Sequence, residues 1–163
     1  MYLWMLIACP AERLGVEVPK GGLDAISAED LQRDVYALTR DGADPGQVFA
    51  NRLTQMHLPP RETGDGRVCA RRDGAGAPRV VVAPWPTTVG EAAQVAVLVS
   101  VAKGWDGQPP PKRATWLCMA KPDAVLPEGE RVAGVAVTAD RLEAIDYRRL
   151  REDTRQLFQR LDG

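Results

Sequence analysis

Histidine is almost missing from this chain: His57 is the only one. It leaves Ser27 and Ser100 without the imidazole neighbour that nucleophilic catalysis by a hydroxyl requires. Cysteine is scarce as well. Cys9, Cys69 and Cys118 make an odd set with no close spacing, which fits neither a disulfide framework nor a zinc-finger pattern and leaves room for at most one bridge. Charge of one sign is not in excess, because 21 basic residues against 22 acidic ones give a net charge of −1. The field that would draw in a phosphate backbone or an anionic membrane is therefore missing, and nucleic acid is not an expected partner. No run approaches the roughly 20 apolar residues of a membrane span. Internal repeats and low-complexity tracts are absent too.

What is present suits one folded domain. With 163 residues and 45% hydrophobic content, the chain can bury a core without staples. Residues 1–25 stand apart as an apolar segment and linker. Leu6-Ile7-Ala8-Cys9 resembles the lipobox of bacterial lipoproteins, which would make Cys9 a lipidation site and place the protein in the periplasm or cell envelope. However, no Lys or Arg precedes Arg13, whereas a secretory signal carries a basic n-region. The alternative is a buried first strand in a cytoplasmic protein, since Tyr2, Leu3, Trp4 and Ile7 suit a pleated surface.

Residues 26–163 read as one α/β domain. Ser27 caps a helix with Glu29 and Asp30 in its first turn and Leu31, Val35 and Leu38 on one face. Asp44-Pro45-Gly46-Gln47 opens a second, with Val48, Phe49, Leu53 and Met56 as its apolar stripe and Pro59-Pro60 as its stop. Arg61 to Gly66 reads as loop, Arg67 to Arg71 alternates like a half-exposed strand, and Val80 to Val82 continues as a strand after the Asp73–Pro78 turn. The last two are expected to pair as a hairpin. Glu91 to Ala102 is apolar nearly all round, as a helix covered on most sides would be. After a loop over Gly104–Pro111, Ala114 to Met119 reads as a strand buried on both faces. The Pro- and Gly-rich Lys121–Gly129 stretch follows, and Val132 to Val137 is expected as the last strand. Thr138 or Asp140 would cap a long final helix carrying Ile145, Leu150, Leu157, Phe158 and Leu161. This order implies an α/β layer fold with a mixed sheet.

Taken in sequence order, several of these pieces resemble the zinc-dependent exopeptidase superfamily, in particular secreted di-zinc aminopeptidases of the aminopeptidase Y type. Ile26 to Val35 is similar to the family's first helix, and Gly46 to Leu58 takes the place of the helix before its alpha-G-L turn. Val80-Val81-Val82 is similar to the strand that leads into its His-x-Asp. Glu91 to Lys103 and Arg113 to Ala120 match the helix and strand that follow, and Asp140 to Tyr147 looks like the opening of its last helix. The resemblance implies a three-layer α/β/α fold, shortened between the Arg113 strand and the last strand. It also implies two zinc ions, an Asp bridging them, and a Glu that takes a proton from the attacking water. The ligand positions depart from that pattern. The His-x-Asp falls on Pro84-Trp85-Pro86, the bridging Asp on Gly90 beside Glu91, the Glu-Glu pair on Asp123-Ala124, and the final His near Ala136.

Neither a catalytic residue nor a metal or cofactor site is therefore expected. His57 reads as a polar residue at a helix end, Asp123 as a loop acid after Pro122, and Glu91 as a favourable first-turn acid. Gly74-Ala75-Gly76 lacks the context of a dinucleotide fingerprint, Cys118 behaves as a small hydrophobe in mid-strand, and the arginines from Arg148 to Arg160 form a mixed-charge face. Trp85 and Trp105, in proline-flanked loops, are candidate interface anchors; each could equally cover the edge of the core. The expected function is a non-catalytic, exopeptidase-like domain that binds a protein partner or a second copy. The alternative is a residual metallo-aminopeptidase-like hydrolase using Glu91, Asp123 or Asp140, with its metal site completed by a partner chain.

Overall fold

A computed structural model describes residues 21–162. Cys9 and the apolar segment that precedes it lie outside the described residues, as does most of the 1–25 linker.

The first two helices begin where their capping residues dictate. Ser27 Oγ accepts from the Asp30 N–H at 3.2 Å to open α1 (Ala28–Thr39), and Asp44 Oδ1 accepts from Gly46 N at 3.1 Å to open α2 (Pro45–Gln55). In each case a carboxylate or hydroxyl satisfies a backbone donor that the helix itself leaves without a partner. Of the expected stripes, Leu31, Val35, Phe49 and Leu53 are fully buried, whereas Val48 and Met56 are half-buried at the edge of the core. Asp30 also ties α1 to the long helix α3 (Val89–Trp105), because its carboxylate pairs with the Lys103 ammonium and, at 3.2 Å, with Arg33. Burial pushes the Asp30 carboxyl up, but the Lys103 hydrogen bond and charge, with Arg33 and Ser27, leave it below its ordinary value. A carboxylate so lowered stabilises the fold above its unfolded pKa, and this contribution is lost as pH falls through the folded one. Asp30→Asn is accordingly expected to flatten the acid limb of stability, read as urea midpoints between about pH 2 and pH 7. A limb unchanged by the substitution would remove Asp30 from this role.

Among the described residues, five strands form one mixed sheet: β1 (Glu62–Gly64), β2 (Arg67–Arg72), β3 (Gly76–Pro84), β4 (Arg113–Ala120) and β5 (Glu130–Arg131). Their spatial order is β1-β2-β4-β3-β5. β2 runs antiparallel to β1 and to β4, whereas β3 runs parallel to β4 and β5. The expected hairpin between β2 and β3 is therefore not formed. β4 lies between them, and the intervening turn crosses its amino end, where Gly74 sits against the backbone of Arg113 and Ala114. A hairpin does exist one step earlier, in the stretch read as loop. Asp65 and Gly66, both at positive φ (55° and 79°), join β1 to β2 with Gly64 opposite Arg67. This is the two-residue turn that Asp-Gly favours, because both central residues must reach left-handed conformations.

β4 is central and largely buried on both faces, as its apolar run implied. α3 is buried along most of its length, also as expected, and it continues to Trp105. That indole is only 2% exposed, packed in the main core. The loop placement of Trp105 is thus corrected: helical periodicity runs past Gly104, and the ring points into the core. The strand expected over Val132–Val137 is not formed, and the pairing falls just before it. Only Glu130–Arg131 pairs with β3, and after Val132 N donates to Val80 O at 2.9 Å the chain leaves the sheet edge for the first turn of α3. The final helix, α4 (Tyr147–Asp162), starts later than expected. Its cap is Asp146, whose Oδ1 accepts from Arg148 N and Arg149 N at 3.1 Å, and a short 3-10 turn over Leu142–Ala144 precedes it. At the other end, buried Arg79 of β3 donates to the carbonyls of Arg160 and Leu161. A guanidinium there meets the negative end of the helix dipole and oxygens that α4 cannot satisfy internally.

The architecture is α/β, with a mixed five-stranded sheet flanked by helices, consistent with the three-layer plan. Helices α1, α2, α3 and α4 each contribute to one large apolar cluster, which meets the sheet through Val68, Ala70, Val81, Ala83, Leu117 and Met119. The alternate residues face the other way, where Cys69, Val80 and Cys118 are covered by Val82, Trp116 and Leu126. Cys69 and Cys118 stand directly opposite each other on β2 and β4, with Cα atoms 4.2 Å apart, and are joined as a disulfide. That spacing is typical of the close, non-hydrogen-bonded pair of an antiparallel ladder. Cys118 is thus a bridge partner rather than a lone small hydrophobe.

Candidate functional site

The carboxyl ends of β3 and β4, with the amino end of α3, are where the resemblance places its metal ions. Pro84 ends β3, and Trp85 N donates to Ala120 O at 2.9 Å, which fixes the following loop to the end of β4. The half-buried indole of Trp85 leans on Gly46 in the first turn of α2 and has the Lys121 ammonium 5.1 Å from its ring centre. A cation over an indole face is attracted by the ring quadrupole. Trp85 is consequently held from two sides.

Thr88 and Glu91 form a capping box at the start of α3. The Thr88 hydroxyl accepts from Glu91 N at 3.1 Å, while the Glu91 carboxylate accepts from Thr87 N at 2.8 Å and from the Thr87 hydroxyl at 2.9 Å. Those hydrogen bonds, the Thr87 N–H first, outweigh a small effect of burial and hold the carboxyl below its usual range. Glu91 is committed to its own helix end, as the reading of it as a first-turn acid implied.

Gly90 decides what this end of the sheet can hold. Its N–H donates to Ala139 O at 3.0 Å, and a Cβ placed on it would meet Val137 O at 2.7 Å and Ala139 N at 2.9 Å. The backbone of Val137–Ala139 therefore lies against the position of the bridging Asp, closer than any side chain would permit. An open cleft of about 770 Å³ lies beside it, lined by Thr88, Glu91, Gln94, Thr138 and Asp140. Asp123 and Asp140 are both exposed. His57 is far away: it pairs with Asp106, one residue beyond the end of α3, and 17 helical residues at ~1.5 Å each set it about 25 Å from the first turn. It does sit at a helix end, as expected.

Among the described residues, no group of three or more His, Cys, Asp or Glu could hold a metal ion. The residues at the implied ligand positions are Pro84, Trp85, Pro86, Gly90, Ala124 and Ala136, with Asp123 as the lone carboxylate. They do not fit a di-zinc centre, and no catalytic step is derived through one.

No protein-family model and no curated protein matches the sequence. Solved structures do resemble its fold. Glutaminyl cyclase from Porphyromonas gingivalis is 16% identical with a TM-score of 0.50, over 60% of this chain and 46% of that one. A leucine aminopeptidase precursor from Bacteroides thetaiotaomicron is 15% identical with a TM-score of 0.45, over 71% and 53%. The chain thus spans about half the length of each. The likeness to the glutaminyl cyclase is one of fold alone, and it is weak and of low identity.

Missed in the sequence were the pairing of His57 with Asp106 and the arginines gathered near it, Arg61, Arg71 and Arg72. His57 and Asp106 are 49 residues apart, and no local pattern announces such a pair. The run Arg71-Arg72-Asp73 was a visible signal, but only as a strand end.

Proposed function

We propose that this domain is a non-catalytic relative, in fold, of zinc exopeptidases and glutaminyl cyclases, and that it serves as a protein-binding or structural subunit. The observation that carries this reading is the close packing of Val137–Ala139 on Gly90, which takes up the space a bridging carboxylate would need. Trp85 is the anchor of the binding surface: it is half-buried, braced by Gly46 and Lys121, and set at the strand ends. Large aromatics held in this way lose little freedom on association.

Two measurements test it. With added zinc or cobalt, turnover of aminoacyl chromogenic substrates and of amino-terminal glutaminyl peptides should stay at the background of buffer and metal alone; turnover that Asp123→Asn abolishes would instead support a residual hydrolase. Sedimentation over a range of concentrations should show self-association that Trp85→Ala weakens by about tenfold, the loss of a single anchor being worth on the order of 1–2 kcal/mol. Association unaltered by that substitution would take Trp85 out of the interface.

A further inference from the structure

Apart from the strand ends just described, the structure holds a second concave site at the other end of α3, and its chemistry is different. A cavity of about 420 Å³ opens there between the end of α2, the end of β2 and the loop before β4. Its polar wall is His57, Arg61, Arg71 and Arg72, against one lining carboxylate, Asp73. Asp73 bridges two of the arginines, with Oδ2 at 3.0 Å from Arg61 and Oδ1 at 2.9 Å from Arg71. Arg72 donates through Nη2 to Gln108 O, while its buried Nε has no hydrogen-bond partner among the described residues. Three guanidinium groups around one carboxylate leave an excess of positive charge on a partly desolvated wall. The opposite wall is apolar, made by Leu58, Pro59, Pro60 and Pro110.

The backbone at His57 adds an independent observation. α2 closes with the N–H of His57 bonded to Thr54 O and that of Leu58 to Leu53 O, both at 3.0 Å, which leaves residue 57 at φ 60°. Glycine is the usual occupant of that left-handed position, since most side chains there are strained. Here a histidine occupies it. Its Nδ1 lies 2.9 Å from Asp106 Oδ1 and the side chain is 71% exposed, on the cavity wall. Histidine is among the few non-glycine residues that take this conformation readily, and the turn sets its ring at the cavity wall.

We propose that this cavity binds a phosphate monoester, with its phosphoryl group on Arg61, Arg71, Arg72 and His57 and its organic part against the proline wall. Guanidinium groups match phosphate oxygens in charge and planar geometry, and bonds of this kind are about twice as strong as neutral ones. Asp73 competes for the same arginine edges and so sets the affinity. Neutralising it therefore tightens binding, and removing Arg61 weakens it.

Phenyl phosphate titrated into the full chain and followed by amide nitrogen–proton NMR tests this, with inorganic phosphate as the comparison. Saturable shifts are expected around residues 57, 61, 71 and 72, with phenyl phosphate bound several-fold more tightly than inorganic phosphate. Arg61→Gln should weaken binding about tenfold and Asp73→Asn should strengthen it about tenfold, each with an unfolding midpoint close to that of the parent chain. His57→Gly, which relaxes the turn, should keep the fold and weaken binding. No saturable shift, shifts centred elsewhere, or equal affinities in all variants would overturn the assignment. An Asp73→Asn change that left phosphate affinity untouched would reduce the Asp73 contacts to surface ion pairs and would count against it equally.

Discussion

Gly90→Asp, the substitution that would return the family's bridging residue, is expected to cost the fold about 2–4 kcal/mol and to create no zinc site. The cost has two sources. A Cβ at residue 90 would stand 2.7 Å from Val137 O and 2.9 Å from Ala139 N, so the 137–139 backbone would have to move. The carboxylate beyond it would enter a buried position facing a carbonyl oxygen, which it can only repel. Gly90→Ala separates the two, because it keeps the clash without the charge; it should recover part of the loss. Urea unfolding of both variants reads these differences directly. If Gly90→Asp were as stable as the parent chain, the closure of this end by residues 137–139 would be wrong.

Removal of the Cys69–Cys118 bridge by the double replacement Cys69→Ala and Cys118→Ala is expected to destabilise the protein by on the order of 3–4 kcal/mol. The bridge closes a loop of 49 residues that holds β3 and all of α3, so much of its effect comes from restricting the unfolded chain. Both cysteines are fully buried, which should make the folded protein slow to reduce. Denaturant midpoints of the double variant and of the reduced and oxidised parent check this. Equal midpoints in all three would mean that the bridge contributes nothing.

How much of this was legible in the sequence depends on the range of the interactions concerned. The caps at Ser27 and Asp44, the buried character of α3 and the central position of β4 all follow from residues within one or two turns of each other, and the structure has them where the pattern put them. The misplaced hairpin is a failure of another kind. Adjacent strands with a Gly-rich turn between them usually pair, but here β4, more than 40 residues after β2 begins, takes the place between them. Asp65-Gly66 is itself a hairpin signal, but its flanking residues, Glu62-Thr63 and Arg67-Val68, carry little apolar pattern to mark them as strands. At the candidate site, the absent ligands could be read directly as Pro84, Gly90 and Ala136. That Gly90 is closed off by Val137–Ala139 could not, since only the three-dimensional path of the 132–139 segment brings them together. The commitment of Glu91 to Thr87 was half legible: the Thr88-to-Glu91 spacing marks a capping box, but not which donors the carboxylate takes.

Zinc titrated into chelator-treated protein, with bound metal located by anomalous scattering from crystals of the same sample, tests the closed strand end most directly. No ion should be found between residues 84–91 and 136–139, and calorimetry should show no binding tighter than about millimolar. Two zinc ions held at that end, with Val137–Ala139 displaced from Gly90 to admit them, would contradict the account.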